Sequence, residues 1–158
     1  MVNPLWFLAV TLAGVGVVGA GESGANRNTP REALKAYAAM DYTLAGKLAA
    51  EIPDTPEGQL ISGLCDLYDR SRQNIRRGQS TLAGIFVSES MPLDYRLEAG
   101  IALGRTAQLM KERRELYGDA GDRYDHVKIF ERVMKMAPGS SAARNAFLYL
   151  IRERLETP

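Results

Sequence analysis

The chain holds one cysteine, one histidine and one tryptophan among its 158 residues, and aromatic side chains make up only 8% of it. A lone Cys65 excludes an internal disulfide framework and any multi-cysteine metal site, so stability must come from packing. A lone His126 removes the usual multi-histidine centres, and with no cysteine placed as a nucleophile neither a familiar triad nor zinc hydrolysis can be assembled. No glycine motif of the P-loop kind is present to cradle a phosphate. Charge of one sign is missing too. Twenty basic against nineteen acidic side chains leave a formal +1, so nothing global draws the protein toward nucleic acid or an anionic surface. Carboxylates are plentiful enough for a paired-carboxylate enzyme, but no set of residues motivates one. Asp122 and Asp125, beside His126, read as turn and first-turn residues. The expectation is a protein without catalytic residues, metal or cofactor.

Residues 1–21 contain no Asp, Glu, Lys or Arg, and Leu5 to Ala20 is almost wholly apolar. This is the core of a secretory signal, with Val18-Gly19-Ala20 supplying small residues for cleavage before Gly21. The usual basic start is lacking. An uncleaved anchor is the alternative, although the run is short against the roughly 20 residues that span a bilayer; Arg27, Arg31 and Lys35 would then hold its carboxyl side in the cytoplasm. A buried first helix is the third reading, and the glycines at 14, 16 and 19 disfavour it. The expected organisation is a signal or anchor over 1–20, a flexible lead-in over 21–28 and a helical domain over 29–158, exported or membrane-anchored.

What the remainder has is helical punctuation. Thr29-Pro30-Arg31-Glu32 offers a cap, a first-turn proline and a capping-box glutamate, followed by Ala33, Leu34, Tyr37 and Met40 on one face. Asp41 caps a second helix that Pro53 ends. Asp54-Thr55-Pro56-Glu57 starts a third, with Leu60, Ile61, Leu64, Leu67 and Tyr68 as its buried stripe and Cys65 beside them as a small core side chain. This helix is expected to fade through Arg70–Arg77 and break at Gly78. A fourth follows over about 80–88, where β-branched residues would also suit a short strand. A fifth is expected over about 94–115 and is ended by Tyr117-Gly118-Asp119-Ala120-Gly121. The sixth runs over about 123–136, and a last one over 142–155 turns Ala143, Ala146, Phe147, Leu150 and Ile151 inward.

One phrase recurs: Thr43-Leu44-Ala45-Gly46 precedes Pro53 as Thr81-Leu82-Ala83-Gly84 precedes Pro92. Thr11-Leu12-Ala13-Gly14 spells it again without a flanking helix-pair pattern. Three helix pairs and a terminal helix written this way resemble the tetratricopeptide repeat family. Met40-Asp41-Tyr42 with Ala45 and Pro53 matches the turn, small contact residue and terminator of a first unit, and Gly78, Ala83 and Pro92 match a second. Leu103-Gly104, Gly121-Asp122, Phe130 and Pro138 match a third. The steps from Met40 to Gly78 and from Gly78 to Gly121 exceed the family period of about 34 residues. The resemblance implies an all-α, right-handed superhelical array of αα-hairpins whose last helix is a solvating cap.

The resemblance further implies a partner segment bound along a concave groove, with Glu98, Arg105 and Gln108 facing it. The expected function is a non-catalytic scaffold for a protein or peptide. One alternative is a structural subunit of an envelope complex, which would expose an apolar patch. The other is an accessory domain that binds an anionic polymer through Arg70, Arg72, Arg76 and Arg77 or through Lys111, Arg113 and Arg114. The commoner meaning of such runs is a solvated helix end.

Overall fold

A computed structural model describes residues 29–69, 71–117 and 123–156. The signal or anchor segment, the lead-in over 21–28, Arg70 and the Gly121-Asp122 turn lie outside the described residues. Every regular element among the described residues is helical: α1 (Thr29–Ala38), α2 (Tyr42–Ala50), α3 (Pro56–Tyr68), α4 (Arg72–Val87), α5 (Leu93–Glu112), α6 (Arg114–Tyr117), α7 (His126–Met136) and α8 (Ser141–Glu156). The chain divides into two compact units with the boundary between Thr81 and Leu82, inside α4.

In the first unit the punctuation works locally as the residues require. Met40 takes a left-handed turn at φ 61, and Asp41 accepts the Leu44 N–H at 3.0 Å to open α2. The Thr55 hydroxyl accepts from the Gly58 N–H at 3.0 Å and donates to the Ile52 carbonyl at 2.8 Å, joining the end of one helix to the start of the next. A side chain there would strike that carbonyl, because a Cβ on Gly58 would stand 2.0 Å from it. Helices α1, α2 and α3 pack as a trio around Leu34, Tyr37, Ala45, Ala49, Leu60, Ile61 and Leu64, all buried.

Gly78 does not break a helix. The break comes earlier, where Asp69 leaves the helical region at ψ 144 and its carboxylate accepts from the Ser71 N–H and the Asn74 amide, both at 2.7 Å. Helix α4 then starts at Arg72 and carries Gly78 in its interior. A Cβ at 78 would lie 2.7 Å from the Gly63 carbonyl oxygen and 2.8 Å from Asp66 Cβ. Glycine is used here for close helix approach rather than for a turn. Arg77 grips Asp66 with two hydrogen bonds of 2.7 and 2.6 Å on the same seam, and this bonding raises the guanidinium pKa further. The strand alternative for 80–88 is overturned with it.

The repeated phrase does not mark equivalent positions. Its first copy lies in α2, with Ala45 buried and Leu44 exposed; its second lies in the last half of α4, with Leu82 buried and Ala83 half-buried. A Cβ at Gly84 would meet nothing within 4 Å.

In the second unit α5, α7 and α8 pack as a second trio. Gly100 and Gly104 let α7 come close: a Cβ at 104 would stand 2.6 Å from the Phe130 ring, and one at 100 would stand 2.8 Å from Val133 and 2.6 Å from the Phe86 ring. Arg113 ends α5 at φ −114, ψ 44, so the expected helix to residue 115 becomes a break followed by the short α6. Asp125 caps α7 by accepting from the Val127 and Lys128 N–H groups at 3.1 and 3.2 Å. The Lys128 N–H leads the causes that hold its carboxyl below the ordinary carboxylate range. Ser140 opens α8 by accepting the Ala143 N–H at 3.1 Å.

Candidate interaction surface

The three residues expected in a groove, Glu98, Arg105 and Gln108, are brought together by α5, but at 5%, 3% and 2% exposure they lie in the interior of the second unit. Their spacing of seven and three residues keeps them on one face. Arg105 Nη1 donates to Gln108 Oε1 at 2.9 Å, the guanidinium lies 5.1 Å from the Tyr149 ring centroid, and Glu112 is 3.9 Å away. The Arg105 Nε has no hydrogen-bond partner among the described residues. Burial raises the Tyr149 hydroxyl pKa. This is an internal polar layer in which Arg105 of α5 lies against Tyr149 of α8.

His126 is equally internal. Its Nε2 meets Glu153 Oε2 at 2.7 Å, tying the start of α7 to the end of α8, and its ring meets Phe130 edge-on. Among the described residues no group of three or more His, Cys, Asp and Glu could hold a metal.

In the first unit Tyr42 stacks on Tyr68 at 3.8 Å between centroids, and Tyr37 closes the cluster at 5.6 and 6.3 Å. Cys65 is half-buried beside it, and burial first, then the Asp66 charge, pushes its thiol up to about 12. A thiol so protonated is a poor nucleophile at neutral pH.

One cation of the basic runs is paired on the surface, where Arg77 is held by Asp66. Arg76, Lys111 and Arg113 are exposed, and Arg70 lies outside the described residues.

An exposed apolar stripe lies on α8. Phe147, Leu148, Ile151 and Leu155 are 53%, 61%, 37% and 81% exposed, while Ala142, Ala143 and Ala146 form the buried side of the same helix. The inward placement expected for Phe147 and Ile151 is therefore overturned, and α8 is not a solvating cap. Ala142, Ala143 and Ala146, not the large side chains, take the buried positions. One signal was available in the sequence: apolar residues at 146–151 run round more of the helix than one stripe can use, the mark of a helix covered on more than one side. Arg144, one turn before the stripe, and Arg154, at its far end, are exposed beside it.

Among the described residues no helix is long and apolar enough to cross a membrane. Comparison of the chain with protein-family models, curated proteins and solved structures finds no match.

Proposed function

We propose that the protein is a non-catalytic helical scaffold, exported or tethered through residues 5–20, whose hairpins stack in the manner of tetratricopeptide repeats and which joins a larger assembly. The observation that carries this reading is the exposed stripe of Phe147, Leu148, Ile151 and Leu155 on a helix whose other side is already packed. Solvated monomers seldom leave large apolar side chains contiguous. Because Glu98, Arg105 and Gln108 are internal, the contact surface is the outer face of α8 rather than a groove lined by α5. This moves the weight from the peptide-groove reading toward the structural-subunit one.

A photo-crosslinking amino acid at position 148, with one at Lys128 as the control, tests it in the native cell envelope. The reading expects a discrete adduct at 148 and none at 128. Adducts equal at both positions, or absent from both, would refute it.

A further inference from the structure

The two trios share an order of packing. Helix α3 lies on α2 and α1, as α8 lies on α7 and α5. The buried side of α3 begins with Leu60, Ile61 and Leu64, and that of α8 with Ala142, Ala143 and Ala146, which have the same spacing. Counted from these residues, Gly63, Asp66 and Leu67 of α3 correspond to Asn145, Leu148 and Tyr149 of α8. In α3 this is the edge on which the next helix arrives: Gly78 of α4 seats against Gly63, Asp66 and Leu67, and Arg77 bonds Asp66. In α8 the matching positions carry Tyr149, which stacks on Phe130 within its own trio, and Leu148 at 61% exposure; Ile151 and Leu155 extend the exposed stripe past the point where α3 ends.

From that correspondence and the charges around the stripe, we infer that α8 is the docking face for an acidic amphipathic α-helix of a partner protein, which packs on it as α4 packs on α3. The inference rests on the scaffold reading and names the chemistry of its partner. Residues 148, 151 and 155 step by three and then four, the spacing by which one helix offers knobs to another. Cations border both ends of the stripe at Arg144 and Arg154, whereas the α3 edge carries the acid Asp66 and receives the base Arg77. Complementary charge sets which partner is accepted and how fast it arrives, so the visiting helix carries Glu or Asp beside its apolar seam. A second copy of the chain would bring arginines into a seam that already holds arginines, and like charges there select against it.

The test uses the full chain and four probes: an amphipathic peptide of about three heptads with leucine at a and d and flanking glutamates, the same peptide with lysine for glutamate, vesicles of phosphatidylglycerol and phosphatidylcholine, and the protein alone over a concentration series. The glutamate peptide is expected to bind at least about tenfold more tightly than its lysine counterpart, and Leu148→Glu or Ile151→Glu to weaken it by at least about tenfold. Both positions are exposed, and circular dichroism verifies that each variant keeps its helices. Equal binding of the two peptides through α8 would overturn the acidic partner and leave the scaffold reading standing. Binding indifferent to position 148 and 151, preference for vesicles, self-association that those substitutions abolish, or capture of the face by residues 1–28, seen as exposure of α8 on their removal, would each overturn the inference. Failure of the scaffold reading shows separately, as loss of the position-148 adduct in the envelope.

Discussion

Gly78 of α4 lies so close to Gly63 of α3 that a single added methyl would stand 2.7 Å from the Gly63 carbonyl oxygen. Backbone on one side and Asp66 Cβ on the other leave little to yield, so the gain in helix propensity on replacing glycine is outweighed. Gly78→Ala is expected to destabilise by about 1–3 kcal/mol. Gly84→Ala, in the same helix with open space around it, is expected to stabilise by about 0.5–1 kcal/mol. Denaturant midpoints of the two variants check the pair; a shift of the same sign in both would contradict this use of Gly78.

Arg105 and Gln108 form a buried pair in which the guanidinium has a neutral acceptor at 2.9 Å and the Glu112 carboxylate at 3.9 Å. Removing Gln108 takes a buried acceptor from that cation, so Gln108→Leu should cost about 1–3 kcal/mol. Arg105→Met leaves the buried Gln108 carbonyl without its donor and takes the cation off the Tyr149 ring, so it too should cost about 1–3 kcal/mol. The double variant strands neither partner and should cost less than the sum of the two singles. Chemical denaturation of the three proteins checks this.

How much of this was legible in the sequence follows from the kind of signal each residue carries. Asp41 and Thr55 act through their own neighbours and cap where the sequence puts them, whereas Asp125, read as a first-turn residue of a helix from about 123, is the cap of one that starts at His126. Gly78 reads as a stop in one dimension and is a contact in three, because nothing local distinguishes a glycine that turns from one that admits a neighbouring helix. The repeated phrase failed for the same reason, since Ala45 and Ala83 share a word but not a burial. Glu98, Arg105 and Gln108 look like surface residues by composition, and the tertiary packing of the second unit makes them internal. Ala143 and Ala146 are buried as read, but Phe147 and Ile151 were placed with them because an apolar run that covers so much of the helix does not say which part of it faces the core.

Cys65 is the one thiol, and its pKa of about 12 keeps it protonated in the fold at mildly alkaline pH. Alkylation by iodoacetamide at pH 8 should be at least about tenfold slower than in the denatured chain. Because the folded value lies above the unfolded one, near 9.0, the native state holds its proton where the unfolded chain releases it. Stability from this group is complete below about pH 9 and declines toward 12. A Cys65→Ala protein should show a shallower loss of stability over that window, read from denaturation at stepped pH.

Asp125 titrates in the opposite sense. Its carboxyl is held below its ordinary value of 3.8 by the N–H groups it caps, so its contribution is present above that value and is lost as pH falls through the folded pKa. Asp125→Ala should destabilise by about 0.5–2 kcal/mol at pH 7 and by progressively less below pH 3.8. Thermal unfolding of parent and variant at the two ends of that range checks it.

The most direct measurement is amide hydrogen exchange of the full chain, alone and with the protein that crosslinks at position 148. The scaffold account predicts slowed exchange along residues 144–156 of α8, with the α5 segment that carries Glu98, Arg105 and Gln108 unchanged. Protection confined to α5, or none on α8, would contradict it.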